Sequence, residues 1–306
     1  MKCSQPGYFW DLYPVSGIQI LLLLCFALFF GGCVYEQTDA CVQYELTVRA
    51  VTPSGEDVTS SGVITSMDIY LFDESGFVRM VPKGSSSDFL FGVEKSKTLT
   101  LVAWGNLKGD SLKLPSPTVG TSLEEAKVEL LELATGYNLP VTDLFYARRV
   151  LTGKTATRAM QSDTVRLVME RLSAALAVKI KHAREYFGSE EVLHIVVRGT
   201  GTALSFMGEP LGQEAGYAPT MTAVNGKDEW VAPLFRVFPT RDDGRIFVDL
   251  YRKGEKLFTI TTDDEGNLLR ATPGKETYIS VDFRYARMFV SVSVLPWGSS
   301  GQQTDL

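Results

Sequence analysis

The sequence is poor in the residues that usually carry out chemistry. It holds two histidines and four cysteines among 306 residues. A metal site takes three or four ligands at characteristic spacings. Neither His182 nor His194 stands in an H-E-x-x-H or Cys/His pattern; both lie in or beside alternating stretches and read as ordinary sheet residues. No G-x-S-x-G elbow, Walker loop or dinucleotide fingerprint occurs. Gly199-Thr200-Gly201 is a lone G-x-G and reads as a turn. The acidic pairs Glu124-Glu125, Glu190-Glu191, Asp242-Asp243 and Asp263-Asp264 sit in polar or turn contexts. They read as solvated faces rather than as the paired carboxylates of a glycosidase, and none has the D-x-D-x-D-G spacing of a calcium loop. Basic runs are missing too. With 30 Lys and Arg against 36 Asp and Glu, the formal net charge is −6, which does not attract nucleic acid. The sequence therefore offers no enzyme signature, no metal or cofactor site and no nucleic-acid partner.

What is present begins with a leader. Residues 18–30, IQILLLLCFALFF, carry no charge. The run is shorter than the roughly 20 residues of a spanning helix and has the length of a signal-peptide apolar region, with Lys2 as the positive end. Gly31-Gly32-Cys33 follows, which resembles a bacterial lipobox at Gly32 and Cys33, with Phe30 in place of the usual Leu. Only a thiol can take a diacylglyceryl thioether, so residues 1–32 read as a lipoprotein signal peptide and Cys33 as the lipid attachment site. The two glycines also weaken any helix that would continue as a signal anchor. Each buried CH₂ contributes about 0.8 kcal/mol, so two or three acyl chains would hold the protein firmly at a membrane. Cys3 and Cys25 leave with the signal. Cys41 is then the remaining thiol, and it reads as a small packed residue in an early strand, with no disulfide framework possible.

The rest of the chain alternates. It is 45% hydrophobic and 22% charged, a globular composition, and its length suits two sandwich domains. Strands are predicted at 43–51, 66–73, 77–81, 98–104, 143–151, 192–198, 246–252, 257–262, 277–283 and 288–295, with hairpin turns at 73–76 and 263–266. Residues 121–133 are the most helix-like: Ser122 and Glu125 form a capping-box pattern, and Leu123, Ala126, Leu130 and Leu133 lie near one helical face. Residues 153–161 read as a linker, and 208–244 as a long surface loop. Val165, Leu167 and Met169 alternate, then the phase shifts after Glu170-Arg171 and resumes at Leu172, Ala174, Leu176, Val178 and Ile180, which predicts a β-bulge or a corner. Many short strands between turns argue for β-sandwiches and against βαβ units. The expected organisation is all-β: a signal at 1–32, an N-terminal sandwich at 33–157 and a C-terminal one at 158–306. Trp104 and Trp297 end apolar strands and read as core; Trp230, in the expected loop, is the candidate for a glycan platform.

Several of these motifs together resemble FimB-type fimbrial anchor lipoproteins of the fimbrillin superfamily. They are the lipobox Cys33 with Cys41 opening the first strand, the hairpin Ile69-Tyr70-Leu71-Phe72-Asp73-Glu74-Ser75-Gly76, and the strand Leu101-Val102-Ala103-Trp104-Gly105-Asn106. Asp143-Leu144-Phe145-Tyr146-Ala147, Glu170-Arg171-Leu172 and the closing Leu295-Pro296-Trp297-Gly298 complete the set. The resemblance implies two tandem transthyretin-like Greek-key β-sandwich domains. It also implies a fimbrium of the outer membrane whose subunits join by β-strand addition. In such systems a polymerising subunit loses its first strand by proteolysis after Arg or Lys, whereas an anchor keeps strand and lipid. Arg49 is the nearest cleavable residue, but the alternation of Leu46, Val48 and Ala50 suggests that the strand stays packed. The strand carrying Met288, Val290, Val292 and Val294 is the candidate donor or edge strand. The expected function is thus an anchor at the fimbrium base that helps set its length, with other fimbrial subunits as partners. The alternatives are a processed tip or stalk pilin and a surface glycan-binding lipoprotein with a host or glycan ligand.

Overall fold

A computed structural model describes residues 42–82, 89–93, 98–152, 162–188, 193–224, 226–285 and 287–297. The leader, Cys33, Cys41 and the expected linker lie outside the described residues. Within them the chain is almost wholly β-sheet.

The chain opens with β1 (Val42–Val51), β2 (Met67–Asp73), β3 (Gly76–Met80), β4 (Phe89–Val93) and β5 (Leu99–Gly105). The hairpin predicted at 73–76 joins β2 to β3, with Asp73 opposite Gly76. Gly76 has φ 113°, and a Cβ there would lie 2.4 Å from the Gly120 carbonyl oxygen, so only glycine fits the turn. Two short strands follow, β6 (Leu112–Lys113) and β7 (Lys127–Leu130), then β8 (Phe145–Leu151) and β9 (Ser162–Arg171). The first sheet runs β3-β2-β5-β8-β9-β1-β4. Its β1–β9 pair is parallel, and β8 meets β9 only at Phe145↔Arg171 and Tyr146↔Glu170. All seven strands put side chains into one core that includes Leu46, Ile69, Leu71, Phe91, Leu101 and Leu167, so the sheet curls around it.

The opposite face of the same sheet is buried too. Tyr70, Phe72, Val102 and Trp104 point into a second core, where the Phe206 ring lies 4.8 Å from Tyr70 and 5.8 Å from Trp104. Burial on both faces is why 69–72 and 101–104 read as unbroken apolar runs rather than as alternation.

The phase shift after Arg171 is a corner: β9 ends there, and β10 (Ala174–Lys181) starts in another sheet. Next come the short helix α1 (Ala183–Phe187), β11 (Leu193–Ser205), β12 (Pro210–Tyr217), β13 (Thr222–Ala223) and β14 (Glu229–Val237). The last four strands are β15 (Phe247–Arg252), β16 (Glu255–Ile260), β17 (Lys275–Arg284) and β18 (Arg287–Pro296). They build one sheet in the order β13-β14-β10-β17-β18 and another in the order β16-β15-β11-β7-β6, with β12 also on β11. Both line the second core, through Leu176, Ile180, Val281, Val197, Leu204 and Leu250 among others.

Three expectations are corrected here. The stretch 121–133 is not a helix. Its capping box does form, with Ser122 and Glu125 exchanging side-chain to backbone bonds of 3.2 Å each, but the turn stops at once because Val128 and Leu130 are buried in the core as β7, paired to β11 and β6. The region 208–244 is not one loop, since it holds β12, β13 and β14. Gly199-Thr200-Gly201 is not a turn. It lies inside β11, where register shifts beside β12 accommodate it; Gly199 at φ 103° lets the Arg245 carbonyl approach where a Cβ would lie 2.1 Å from that oxygen. Strand pairing runs across the expected boundary between 33–157 and 158–306. β6 and β7 precede that point and join the sheet of β11, whereas β9 follows it and belongs to the first sheet.

Candidate functional site

A sheet edge presents unpaired N–H and C=O groups, and proteins normally blunt such edges. Among the described residues most edges are blunted or short. β3 is covered: the Phe77 N–H donates to the Thr121 carbonyl at 2.7 Å, and the Gly120 N–H donates to the Phe77 carbonyl at 2.9 Å. β6 and β13 have two residues each, β4 has five, and β16 carries Glu255 and Lys256.

β18 differs. It has ten residues, RMFVSVSVLP, with no charge after Arg287. It pairs with β17 over its whole length, from Arg284↔Arg287 to Lys275↔Pro296, and lies last in its sheet.

Backbone geometry tells which groups face out. The Val290 carbonyl accepts the Asp264 N–H at 2.9 Å, so it points away from β17. In an antiparallel pair both polar groups of a residue point the same way, and the direction alternates. Met288, Val290, Val292 and Val294 therefore turn their backbone groups outward, while Phe289, Ser291, Ser293 and Leu295 bond to β17. Trp297 obeys the same alternation, its N–H donating to the Gly274 carbonyl at 3.0 Å. Pro296 falls in the outward set, where a missing N–H breaks no ladder bond. Val290 is buried, and Met288 and Val292 pack half-buried against the core. Val294 is 47% exposed and Phe289 39% exposed.

The far end of β18 is fastened by a cluster that sequence reasoning did not foresee. The Arg171 guanidinium donates to both carboxylate oxygens of Asp143, at 2.6 and 2.9 Å. It stacks 4.4 Å from the Trp297 ring centroid and 5.0 Å from that of Phe145. Arg236 lies 5.3 Å from the Trp297 ring centroid. The Arg171 side chain is only 6% exposed. A bidentate, stacked guanidinium is a rigid joint, and it ties the end of β18 to the β9–β10 corner. The only sequence signals were the Glu170-Arg171 phase break and the apolar end at Trp297.

Arg49 lies within β1, an interior strand of the first sheet. Its guanidinium donates to Asp57 Oδ2 at 2.8 and 2.5 Å. The Thr59 hydroxyl, then the Thr59 N–H, then Arg49 hold the Asp57 pKa down at about 2. The next residue, Ala50, is fully buried. Its N–H donates to Thr59 Oγ1 at 2.8 Å, its carbonyl accepts the Val58 N–H at 2.8 Å, and residues on either side of it pair with β9.

The other residues considered from sequence do not converge. His182 Nδ1 lies 2.6 Å from Asp282 Oδ1, and His194 is exposed in β11. No group of three or more His, Cys, Asp or Glu is placed to hold a metal among the described residues. Trp104 and Trp297 are buried. Trp230 is in strand β14 rather than a loop, and it packs half-buried against the core. Cys33 lies outside the described residues.

The family model of fimbrillin-A associated anchor proteins Mfa1 and Mfa2 matches residues 35–302. The chain belongs to that family. Over 299 residues it is 26% identical to the major fimbrium anchoring subunit FimB of Porphyromonas gingivalis, a match that covers 92% of this chain and 95% of that protein. Its fold is similar to that of the fimbrial anchor protein Mfa2 from Porphyromonas gingivalis, with a TM-score of 0.64 at 16% identity over 84% of this chain and 98% of the other. A protein from Bacteroides thetaiotaomicron put forward as polysaccharide-binding is also similar in fold, with a TM-score of 0.61 at 16% identity, covering 85% of this chain and all of the other. The Mfa1 and Mfa2 anchor family is one of structural fimbrial subunits, not enzymes.

Proposed function

We propose that this chain is the anchor at the base of a fimbrium, held in the outer membrane by lipid on Cys33. It receives its neighbour by β-strand addition at the open edge of β18, and by occupying the base it helps set fimbrium length. The observation that carries this reading is the edge itself: ten residues, paired on one side and uncharged after Arg287. Left bare, such an edge is a template for aggregation; a neighbouring strand would cover it. The outward N–H and C=O groups of Val292 and Val294 offer four hydrogen bonds, each contributing about 0.5–1.5 kcal/mol. β18 serves as an acceptor in place rather than as a donor, because leaving the sheet would break the whole β17 ladder and the Trp297 stack.

Retention of the first strand separates an anchor from a polymerising subunit. A protease needs an extended, accessible peptide, and both polar groups of Ala50 are already bonded. The half-buried packing of Trp230 against the core favours the anchor over a glycan-binding role. The test is intact mass and N-terminal peptide mapping of the protein taken from outer membranes. An acylated Cys33 with an uncut Arg49–Ala50 bond supports the anchor. A chain that starts at Ala50 without lipid makes it a processed pilin.

A further inference from the structure

The open edge of β18 is not open along its length. The turn after β16 reaches across from the other sheet of the second core and takes the Val290 carbonyl with the Asp264 N–H, at 2.9 Å. That turn is stiff. The Gly266 N–H donates to the Asp263 carbonyl at 3.1 Å, and the Asp263 N–H donates to the Asn267 carbonyl at 3.0 Å. The Asp263 carboxylate accepts the N–H groups of Glu265 and Asn267 at 3.0 and 2.8 Å and the Asn267 side-chain amide at 2.9 Å. Thr262 bridges to Leu268 behind it. The Asn267 amide is the largest of the influences that hold the Asp263 pKa below its ordinary value, so the carboxylate is ionised, and its acceptors available, at neutral pH. At the other end of the edge, Pro296 has no N–H to give.

We propose that Asp264 is a register stop: it confines a neighbouring subunit's strand to residues 291–295 of β18, between its own N–H and Pro296. Granted strand addition at β18, on which this rests, the strand meets the outward groups of Val292 and Val294 and cannot slide toward the β17–β18 turn. Sheet side chains repeat every two residues, so a slip by one residue would turn the added strand's apolar set to the wrong face. A stop at one end removes that freedom. The window also defines the chemistry of its occupant. It is an extended segment of about five residues without charge, with apolar side chains beside Val292 and Val294 and small ones beside Ser291 and Ser293.

The experiment compares amide hydrogen exchange, resolved to single residues, in the free anchor and in isolated fimbriae that carry it. In the wild type, assembly should slow exchange at Val292 and Val294 by about tenfold or more and leave Val290 unchanged. Asp264→Pro removes the one N–H that occupies Val290 while suiting the turn, because proline is favoured at the second position of such turns. In that variant Val290 should gain protection on assembly as well. Protection of Val290 in wild-type fimbriae overturns the register stop, and so does an unchanged window in a folded Asp264→Pro. If Asp264→Pro does not fold, the wild-type contrast between Val290 and Val292 still decides. If neither Val292 nor Val294 gains protection while the anchor remains in the fimbria, strand addition at β18 fails, a result distinct from failure of the stop alone.

Discussion

Two proline substitutions on adjacent residues of β18 should have opposite consequences. Ser293 bonds inward to β17, opposite Tyr278. Proline there removes a ladder N–H and leaves its acceptor unmet, at about 1–3 kcal/mol, or roughly 2–12 °C in Tm for a chain of this size. Val294 turns its N–H outward and is 47% exposed, and Pro296 already occupies the equivalent outward position two residues on. Val294→Pro should therefore cost no more than about 0.5 kcal/mol of stability. In the assembled fimbria it would leave a carbonyl of the added strand without a donor, again about 1–3 kcal/mol, which weakens docking about 5- to 150-fold. The assay expresses each variant as the sole copy and measures the fraction of fimbriae shed into the medium beside the Tm of the purified protein. Val294→Pro should shed fimbriae at near wild-type Tm; Ser293→Pro should lower Tm first. Wild-type retention with Val294→Pro would refute docking at this edge, and a Tm loss equal to that of Ser293→Pro would refute the assignment of outward N–H groups.

Arg171→Met should destabilise the protein by about 3–5 kcal/mol, because it leaves the Asp143 carboxylate without its buried partner; a Tm drop below about 3 °C in scanning calorimetry would show that the joint is not stabilising. Acid should weaken the fold through Asp249. Burial pushes its pKa up, but hydrogen bonds from Arg198 and Thr259, together with the charges of Arg198 and Lys256, outweigh burial and leave it below the ordinary value. A depressed carboxylate contributes its stability above the unfolded pKa of about 4 and loses it as pH falls through the folded value. Denaturant midpoints should therefore be level from neutral pH to about 4 and then fall, with a shallower fall in Asp249→Asn; equal slopes would remove Asp249 from the account.

The sequence by itself determined the kind of structure and much of its punctuation. Period-two alternation made 43–51, 277–283 and 288–295 strands in any context, because burying one face of them allows little else. Asp73 to Gly76 specified a hairpin through a local requirement for positive φ at Gly76. The phase break after Arg171 marked a corner, since alternation cannot change phase within one regular strand. Tertiary structure decided everything that depended on a distant partner. The capping box of Ser122 and Glu125 formed as a local device, yet residues 127–130 became a strand because β11 offered a ladder and the core took Val128 and Leu130. Gly199 reads as a turn until the Arg245 carbonyl is seen pressing on it inside β11. The joint of Asp143, Phe145, Arg171 and Trp297 joins segments far apart in the chain, and no spacing rule links them. The same holds for the candidate site. Alternation singled out Met288, Val290, Val292 and Val294 as one set, but whether a strand lies inside a sheet or at its edge depends on what pairs beside it. That, and the stop at Asp264, are properties of the packed sheets and not of the strand's own residues.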